Sequence, residues 1–126
     1  MASKKLSADL PPRRSSCPIA SALDLVGDKW SLLLIRDIGL FGKHRNKDFQ
    51  SATEKIPTNI LADRLKRMTA YGLLEKRRYQ EHPPRYEYHL TRQGMALLPV
   101  VRELARWSAN NLAGIKIPRG AKSGGP

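Results

Sequence analysis

The sequence has only one cysteine in 126 residues, and its acidic side chains are outnumbered by basic ones, 11 against 23. A single cysteine excludes a framework of disulfides within the chain and suits a reducing cytoplasm. No apolar run approaches the roughly 18 residues of a membrane span. The N-terminus also lacks the apolar segment of a signal peptide. We therefore expect a cytoplasmic protein with no membrane partner.

Motifs of catalysis and of metal binding are missing too. There is no glycine-rich phosphate loop, no nucleophile elbow and no clustered pair of carboxylates. The histidines, His44, His82 and His89, are scattered and form no i,i+4 pair. The sequence therefore predicts neither an enzyme nor a metal site, and no cofactor.

What the sequence has in excess is positive charge. The formal net charge is +12 and the isoelectric point is near 10.4, which indicates a polyanionic partner. Residues 1–16 and 113–126 carry +3 each, so the middle is itself basic. Both ends are rich in Pro, Gly, Ser or Lys, and we predict disordered tails around one domain, residues 17–112. Such tails add nonspecific affinity for phosphates or only solubility, and both readings stay open.

The stretch 57–71 predicts an amphipathic helix with an outer face suited to nucleic acid. Leu61, Leu65 and Met68 recur at i, i+4 and i+7 and form a stripe that must be buried. Thr58 can cap the first turn, and Gly72 suits the left-handed position that ends the helix. The face opposite the stripe would meet DNA with Thr58, Asn59, Ala62, Asp63, Lys66 and Arg67. The alternative is an ordinary solvated face.

The elements before this helix complete a helix-turn-helix. One helix is predicted from Pro18 to Gly27, and a second is capped by Asp28. A short helix over 46–53 follows, with Phe49 as its buried anchor and Asn46 as its cap. Two short helices joined by a tight turn, the second with a polar outer face, are typical of a helix-turn-helix.

After Gly72 the apolar period changes to two, which predicts strands at 73–80 and 85–90. The tip, residues 81–84, contains two prolines and is stiff. This basic hairpin would act as a wing that contacts phosphates or a minor groove, or it is an edge that discourages strand pairing. The predicted contacts of the wing and the DNA backbone are Arg45, Asn46, Lys47, Arg64, Arg77, Arg78, His82, Pro83 and Arg85. Arg64 is expected to bridge to an acidic neighbour such as Glu75 or to reach a phosphate.

Thr91 caps a last predicted helix that runs to about Asn111, with a kink near Leu98 because Pro99 removes one backbone hydrogen bond. Its apolar surface exceeds what the domain core needs, so we predict a two-fold homodimer through the terminal helices. The interface residues would be Ile19, Leu23, Leu97, Val101, Leu104 and Trp107.

Several motifs in order resemble one family. They are CPIASALDLVGDKW, ILADRLKRM with GLLEKR, PPRYEYHLTRQG and LLPVVRELARW. Over about residues 17–108 the chain resembles the HxlR-type winged helix-turn-helix regulators of bacteria and archaea, relatives of the MarR group. The resemblance implies a mainly α (α+β) fold and a dimer with the 57–71 helix in the major groove. It also implies that residues 81–85 form the wing and that Cys17 and residues 97–107 lie near the dimer interface.

Cys17 is the candidate sensor. It precedes a helix whose dipole favours a thiolate, with Arg13 and Arg14 just upstream. Family members that sense oxidants or electrophiles tend to have a cysteine at this position. The alternative is that Cys17-Pro18 is only a helix entry.

The sequence as a whole predicts a dimeric, sequence-specific transcriptional regulator on a palindromic operator, associated with the nucleoid and open to an unknown small-molecule or oxidant effector. Half-sites would lie roughly 10 bp apart. The alternative is an architectural protein that binds any DNA sequence through charge.

Overall fold

The structure, a computed structural model, describes residues 5–6 and 9–117. Within these residues the chain forms six helices and one two-stranded antiparallel sheet, which confirms the mainly helical winged fold. The elements are α1 (Pro18–Val26), α2 (Ser31–Gly39), α3 (Asn46–Gln50), α4 (Thr58–Ala70), β1 (Leu74–Gln80), β2 (Arg85–Leu90), α5 (Arg92–Met95) and α6 (Leu98–Asn111). None of the described helices is long and apolar enough to cross a membrane.

The core lies where α4 packs on α2 and α3. The predicted stripe of α4 is buried as expected, since Leu61, Leu65 and Met68 belong to one cluster with Ile35 and Phe49. Phe49 is completely buried, so its predicted role as the anchor of the short helix is confirmed. Burying this stripe fixes which face of α4 points outward.

The helix starts differ from the predicted caps at three places. Trp30 takes the capping position of α2 that was predicted for Asp28. Asp28 still bonds to the start of the helix, because its Oδ2 accepts hydrogen bonds from the backbone N–H groups of Trp30 at 3.0 Å and Ser31 at 3.1 Å. The cap at Thr58 is wrong: the helix already includes Thr58, and Pro57 precedes it without a side-chain cap. The cap at Asn46 is also wrong. Arg45 takes that position in extended backbone, and the Asn46 side chain instead accepts from Gln50 Nε2 at 2.9 Å.

The hairpin follows α4 directly. Gly72 has φ +87°, so the predicted left-handed position at the end of α4 is confirmed. β1 and β2 pair antiparallel, with Lys76 opposite Tyr88. The far edge of β2 is partly covered, because the Tyr88 N–H donates to the carbonyl oxygen of His44 at 2.8 Å. The loop before α3 is thereby fixed against the wing.

The predicted single kinked helix after Thr91 is wrong, since the chain breaks there into α5 and α6. Thr91 does cap α5, accepting from the Gly94 N–H at 3.1 Å. Pro99 lies in the first turn of α6, where its missing N–H costs no helical hydrogen bond. The proline therefore starts a new helix instead of kinking a continuous one.

The N-terminal segment is not wholly free of the domain. Leu6 and Leu10, which lie within the predicted tail, are half-buried against the core. Two isolated leucines in a polar stretch are enough to dock a segment when the domain offers an apolar groove. Residues 1–4, 7–8 and 118–126, which make up much of both predicted tails, lie outside the described residues.

Candidate nucleic-acid interface

The outer face of α4 presents every residue that the helical period assigned to DNA. These exposed residues are Thr58, Asn59, Ala62, Asp63, Lys66 and Arg67. The small or uncharged side chains lie toward the start of the helix and the cations toward its end. A helix about 10–12 Å across fits the major groove of B-DNA, so this face has the dimensions of a recognition surface.

A charge network ties this helix to the loop between α1 and α2. Arg64 Nε donates to Asp28 Oδ2 at 2.9 Å, and the same guanidinium bonds to Asp63. The prediction that Arg64 bridges to an acidic neighbour is confirmed, but the suggested neighbour Glu75 is wrong, because Glu75 pairs with Arg77. Burial alone would raise the pKa of Asp28, but hydrogen bonds from Ser31, Arg64 and Trp30 outweigh it and hold the pKa below its usual value. Arg64 therefore positions the helix.

Asp63 also restrains Arg67, whose Nη2 lies 2.9 Å from the Asp63 carboxylate. An exposed i,i+4 pair of this kind contributes little to stability. It does hold the guanidinium over the helix surface, and it places a negative charge in the middle of a cationic face. A DNA backbone approaching this face must compete with Asp63 for Arg67.

The loop and helix before α4 add cations at the side of the recognition surface. Lys47 and Asn46 are exposed on α3. Arg45 stacks on the ring of Tyr79, with the guanidinium carbon 3.9 Å from the ring centroid, and lies 3.5 Å from Glu87. Arg45 therefore links α3 to the hairpin.

The predicted wing residues are all exposed, but two of the arginines have partners in the wing itself. Arg77 pairs with Glu75, and Arg78 donates to Glu81 at 3.0 Å and to the Tyr86 hydroxyl at 3.2 Å. These hydrogen bonds raise the pKa of Arg78, and the bond to the Tyr86 hydroxyl oxygen has the largest effect. The remaining predicted wing residues, His82, Pro83 and Arg85, are exposed at the tip and its neck. The ion pairs of Arg77 and Arg78 are exposed and contribute little to stability, so both arginines can leave these partners and bind phosphates instead.

Cys17 is free and exposed at the entrance to α1. Its backbone N–H donates to Ser15 Oγ at 3.1 Å. Arg14, expected beside the thiol, instead forms an ion pair with Asp24 at 2.5 Å. The thiol is therefore accessible, while one of the two expected cationic neighbours is engaged elsewhere.

The predicted interface residues divide into two groups. Ile19 and Trp107 are 72% and 59% exposed, and Leu23 and Leu104 are exposed as well. Leu97 and Val101 are half-buried against the core of their own chain. Sequence reasoning missed Val100, although it precedes Leu104 and Trp107 at helical spacing. Val100, Leu104 and Trp107 together form an exposed apolar stripe along α6.

Comparison with known proteins adds the family. The sequence profile of the HxlR-like helix-turn-helix family matches residues 25–116. The chain belongs to this family. Its relatives within the family are helix-turn-helix transcriptional regulators, which are not enzymes.

Individual relatives agree with this assignment to the HxlR-like family. The chain is 31% identical over 100 residues to YybR, an uncharacterized HTH-type transcriptional regulator of Bacillus subtilis, and the match covers 79% of each chain. The redox regulator HypR, solved in its oxidized form, is 32% identical with a TM-score of 0.68, over 75% of this chain and 97% of HypR. The reduced form of the transcriptional regulator YodB from B. subtilis is 30% identical with a TM-score of 0.62, over 79% and 97%.

Proposed function

We propose that this HxlR-like regulator acts in the cytoplasm as a homodimer that binds a palindromic operator in the nucleoid, with α4 of each subunit in a major groove. The observation that carries the proposal is the exposed face of α4, with Asn59 near its start and Lys66 and Arg67 near its end. Asn can read adenine through two hydrogen bonds, whereas the cations suit phosphates.

The hairpin extends the same surface. The loop before α3 is hydrogen-bonded to β2, and α4 packs against both α3 and β1, so the wing is held beside the recognition helix. A wing with exposed arginines at its neck would contact the backbone or minor groove beside the half-site. Its contacts would add affinity that is steeply dependent on salt.

The homodimer rests on the exposed apolar faces of α1 and α6. Ile19, Leu23, Leu104 and Trp107 are large, apolar and exposed in the single chain. On each helix these side chains lie three or four positions apart and so share one face, and an exposed apolar patch is typical of an interface. Two copies related by a two-fold axis would set the two α4 helices about one turn of DNA apart, roughly 10 bp between half-site centres.

The first test is competition between a selected operator and random duplex at physiological salt. A sequence-specific regulator should prefer its operator by about a thousandfold or more. Asn59→Ala should weaken operator binding and leave random duplex nearly unchanged, whereas Arg77→Ala, the control, should weaken both alike. Equal affinity for operator and random DNA would favour an architectural protein that binds through charge.

Oxidant sensing through Cys17 is the second part of the proposal. It is supported by the exposed thiol and by the similarity to the redox regulator HypR. In the reaction, the Cys17 thiolate attacks one sulfur of a small disulfide and forms a mixed disulfide, and the S–S bond that breaks releases the other half as a thiolate, which takes a proton from water. Treatment with such a disulfide should change operator affinity in the wild type and not in Cys17→Ser. An unchanged affinity of fully modified wild-type protein would refute the sensor role.

A further inference from the structure

We propose that the groove between α3 and the hairpin is a binding site for a nucleotide-type anion, that is, a planar ring joined to a phosphate. The groove has a volume of about 430 Å³. Pockets that hold small organic ligands have volumes of about 300–1,000 Å³. This site lies beside the recognition helix, and none of the groove's lining residues belongs to α4.

The charge of the lining selects an anion. Four cationic residues line the groove, Arg45, Lys47, Lys76 and Arg85, and no Asp or Glu is among the described residues that line it. Glu87 lies nearby and pairs with Arg45 at 3.5 Å without lining the groove. A concave surface with walls of low dielectric constant concentrates the field of such charges. Arg and Lys side chains form strong, charge-assisted hydrogen bonds with phosphate oxygens.

The tyrosines of the lining select a ring. The Arg45 guanidinium stacks on Tyr79, and Lys76 Nζ lies 4.3 Å from the centroid of the Tyr86 ring. Stacking holds these two cations along the groove walls, so less side-chain freedom is lost when a ligand binds. A guanidinium and tyrosine rings also provide flat surfaces on which a nucleobase can stack.

The part of the groove that is lined by α3 is polar. Asn46 and Gln50 both line the groove and are bonded to each other, with Gln50 Nε2 donating to Asn46 Oδ1 at 2.9 Å. Their remaining amide donors and acceptors can bond to the edge of a base. A ligand with a phosphate, a flat ring and a polar ring edge would match all three features of the groove, and a nucleotide has these parts. The nucleotide could be a free small molecule or an unpaired nucleotide within a nucleic acid.

The test is calorimetric titration of the full chain with adenosine 5′-monophosphate, adenosine and inorganic phosphate. The monophosphate should bind at one site per chain and more tightly than either fragment. Lys76→Ala should weaken binding about tenfold, the loss expected for one charged hydrogen bond. Lys29→Ala is the matched control, because Lys29 also lies over an aromatic ring, Trp30, but outside the groove. It should bind like the wild type.

A second titration, with duplex DNA, distinguishes a free nucleotide from an unpaired nucleotide within a nucleic acid. If the nucleotide belongs to a nucleic acid, a duplex with one unpaired base should bind more tightly than the fully paired duplex, and Lys76→Ala should remove the difference. Where circular dichroism finds Lys76→Ala unfolded, Lys47→Gln takes its place.

The proposal is overturned if neither the monophosphate nor the unpaired base is preferred. It is equally overturned if inorganic phosphate binds as well as the monophosphate, or if Lys29→Ala loses as much affinity as Lys76→Ala. Binding of the free nucleotide needs no operator, so this outcome is distinct from a failure of operator recognition.

Discussion

Replacing Asp28 by Asn tests the connection between the α1–α2 loop and the recognition helix. Asn retains an oxygen that accepts from the Trp30 and Ser31 N–H groups, so the hydrogen bonds to the start of α2 are kept. What is lost is the negative charge that faces Arg64 at 2.9 Å. The two side chains are 27% and 16% exposed, so solvent screens this pair only in part.

The expected loss of unfolding free energy follows from these numbers. A hydrogen bond to a charged group contributes about 1.5–3 kcal/mol when shielded, and a fully exposed pair about 0–1 kcal/mol. For this partly exposed pair we expect about 1–2 kcal/mol, measured by urea unfolding at neutral pH. Glu75→Gln breaks the exposed pair with Arg77 and is the control. It should change stability little.

A double-mutant cycle with Arg64→Gln isolates the pair itself. The coupling energy should be about 1 kcal/mol or more, and a value below about 0.3 kcal/mol would refute the reasoning, because that is the additivity expected of independent sites. The pH dependence gives a second criterion. Since the pKa of Asp28 is lowered in the folded chain, its stabilisation is present above the unfolded value and is lost as the pH falls through the lower folded value. The difference between wild type and Asp28→Asn should therefore shrink in acid.

Three further predictions concern packing, assembly and DNA. Gly94→Ala should lower the free energy of unfolding by about 2–4 kcal/mol, because the added Cβ would lie 2.2 Å from the carbonyl oxygen of Leu73. The control Gly42→Ala, at φ +65° in open space, should lose only about 1–2 kcal/mol; equal losses would contradict the packing argument. Trp107→Glu should give a monomer in sedimentation with the helical content unchanged, since this side chain is 59% exposed in the single chain; a variant that stays dimeric would remove α6 from the interface. Lys66→Ala should reduce the salt dependence of DNA affinity by about one counterion while keeping the order of preferred sequences, and an altered order would mean that Lys66 reads bases.

Local pattern was enough to predict most of the fold. The burial of Leu61, Leu65 and Met68 follows from a 3.6-residue period, and the end of α4 at Gly72 follows from glycine's freedom at positive φ. The change to a two-residue period located both strands to within a residue. These signals lie within one or two turns of chain, where a single sequence carries the information.

Pairings across space could not be predicted in the same way. Arg64 and Asp28 are separated by 36 positions, and nothing local distinguishes Asp28 from Glu75 as the partner. The stacking of Arg45 on Tyr79 depends on the loop before α3 lying against the wing. The groove between α3 and the hairpin is built from such pairings. The sequence marked Arg45, Lys47 and Arg85 as candidate contacts, whereas Lys76 and the tyrosine walls were recognised only in the structure.

The position of Asp28 also limits how a signal at the interface of the proposed homodimer could reach DNA. Asp28 comes two residues after Val26, the buried end of α1, and the exposed Ile19 and Leu23 lie on that same helix. The Asp28 carboxylate bonds to the start of α2 and to Arg64 of α4 at once. A shift of α1 relative to both α2 and α4 would therefore break the bonds of Asp28 to these two helices and disturb the packing of Val26. Rotation of each domain as a unit breaks none of them, and it changes only the angle between the two recognition helices. Rigid rotation is thus the less costly route, and a variant such as Asp28→Asn should lose stability without losing its response to an effector at the interface.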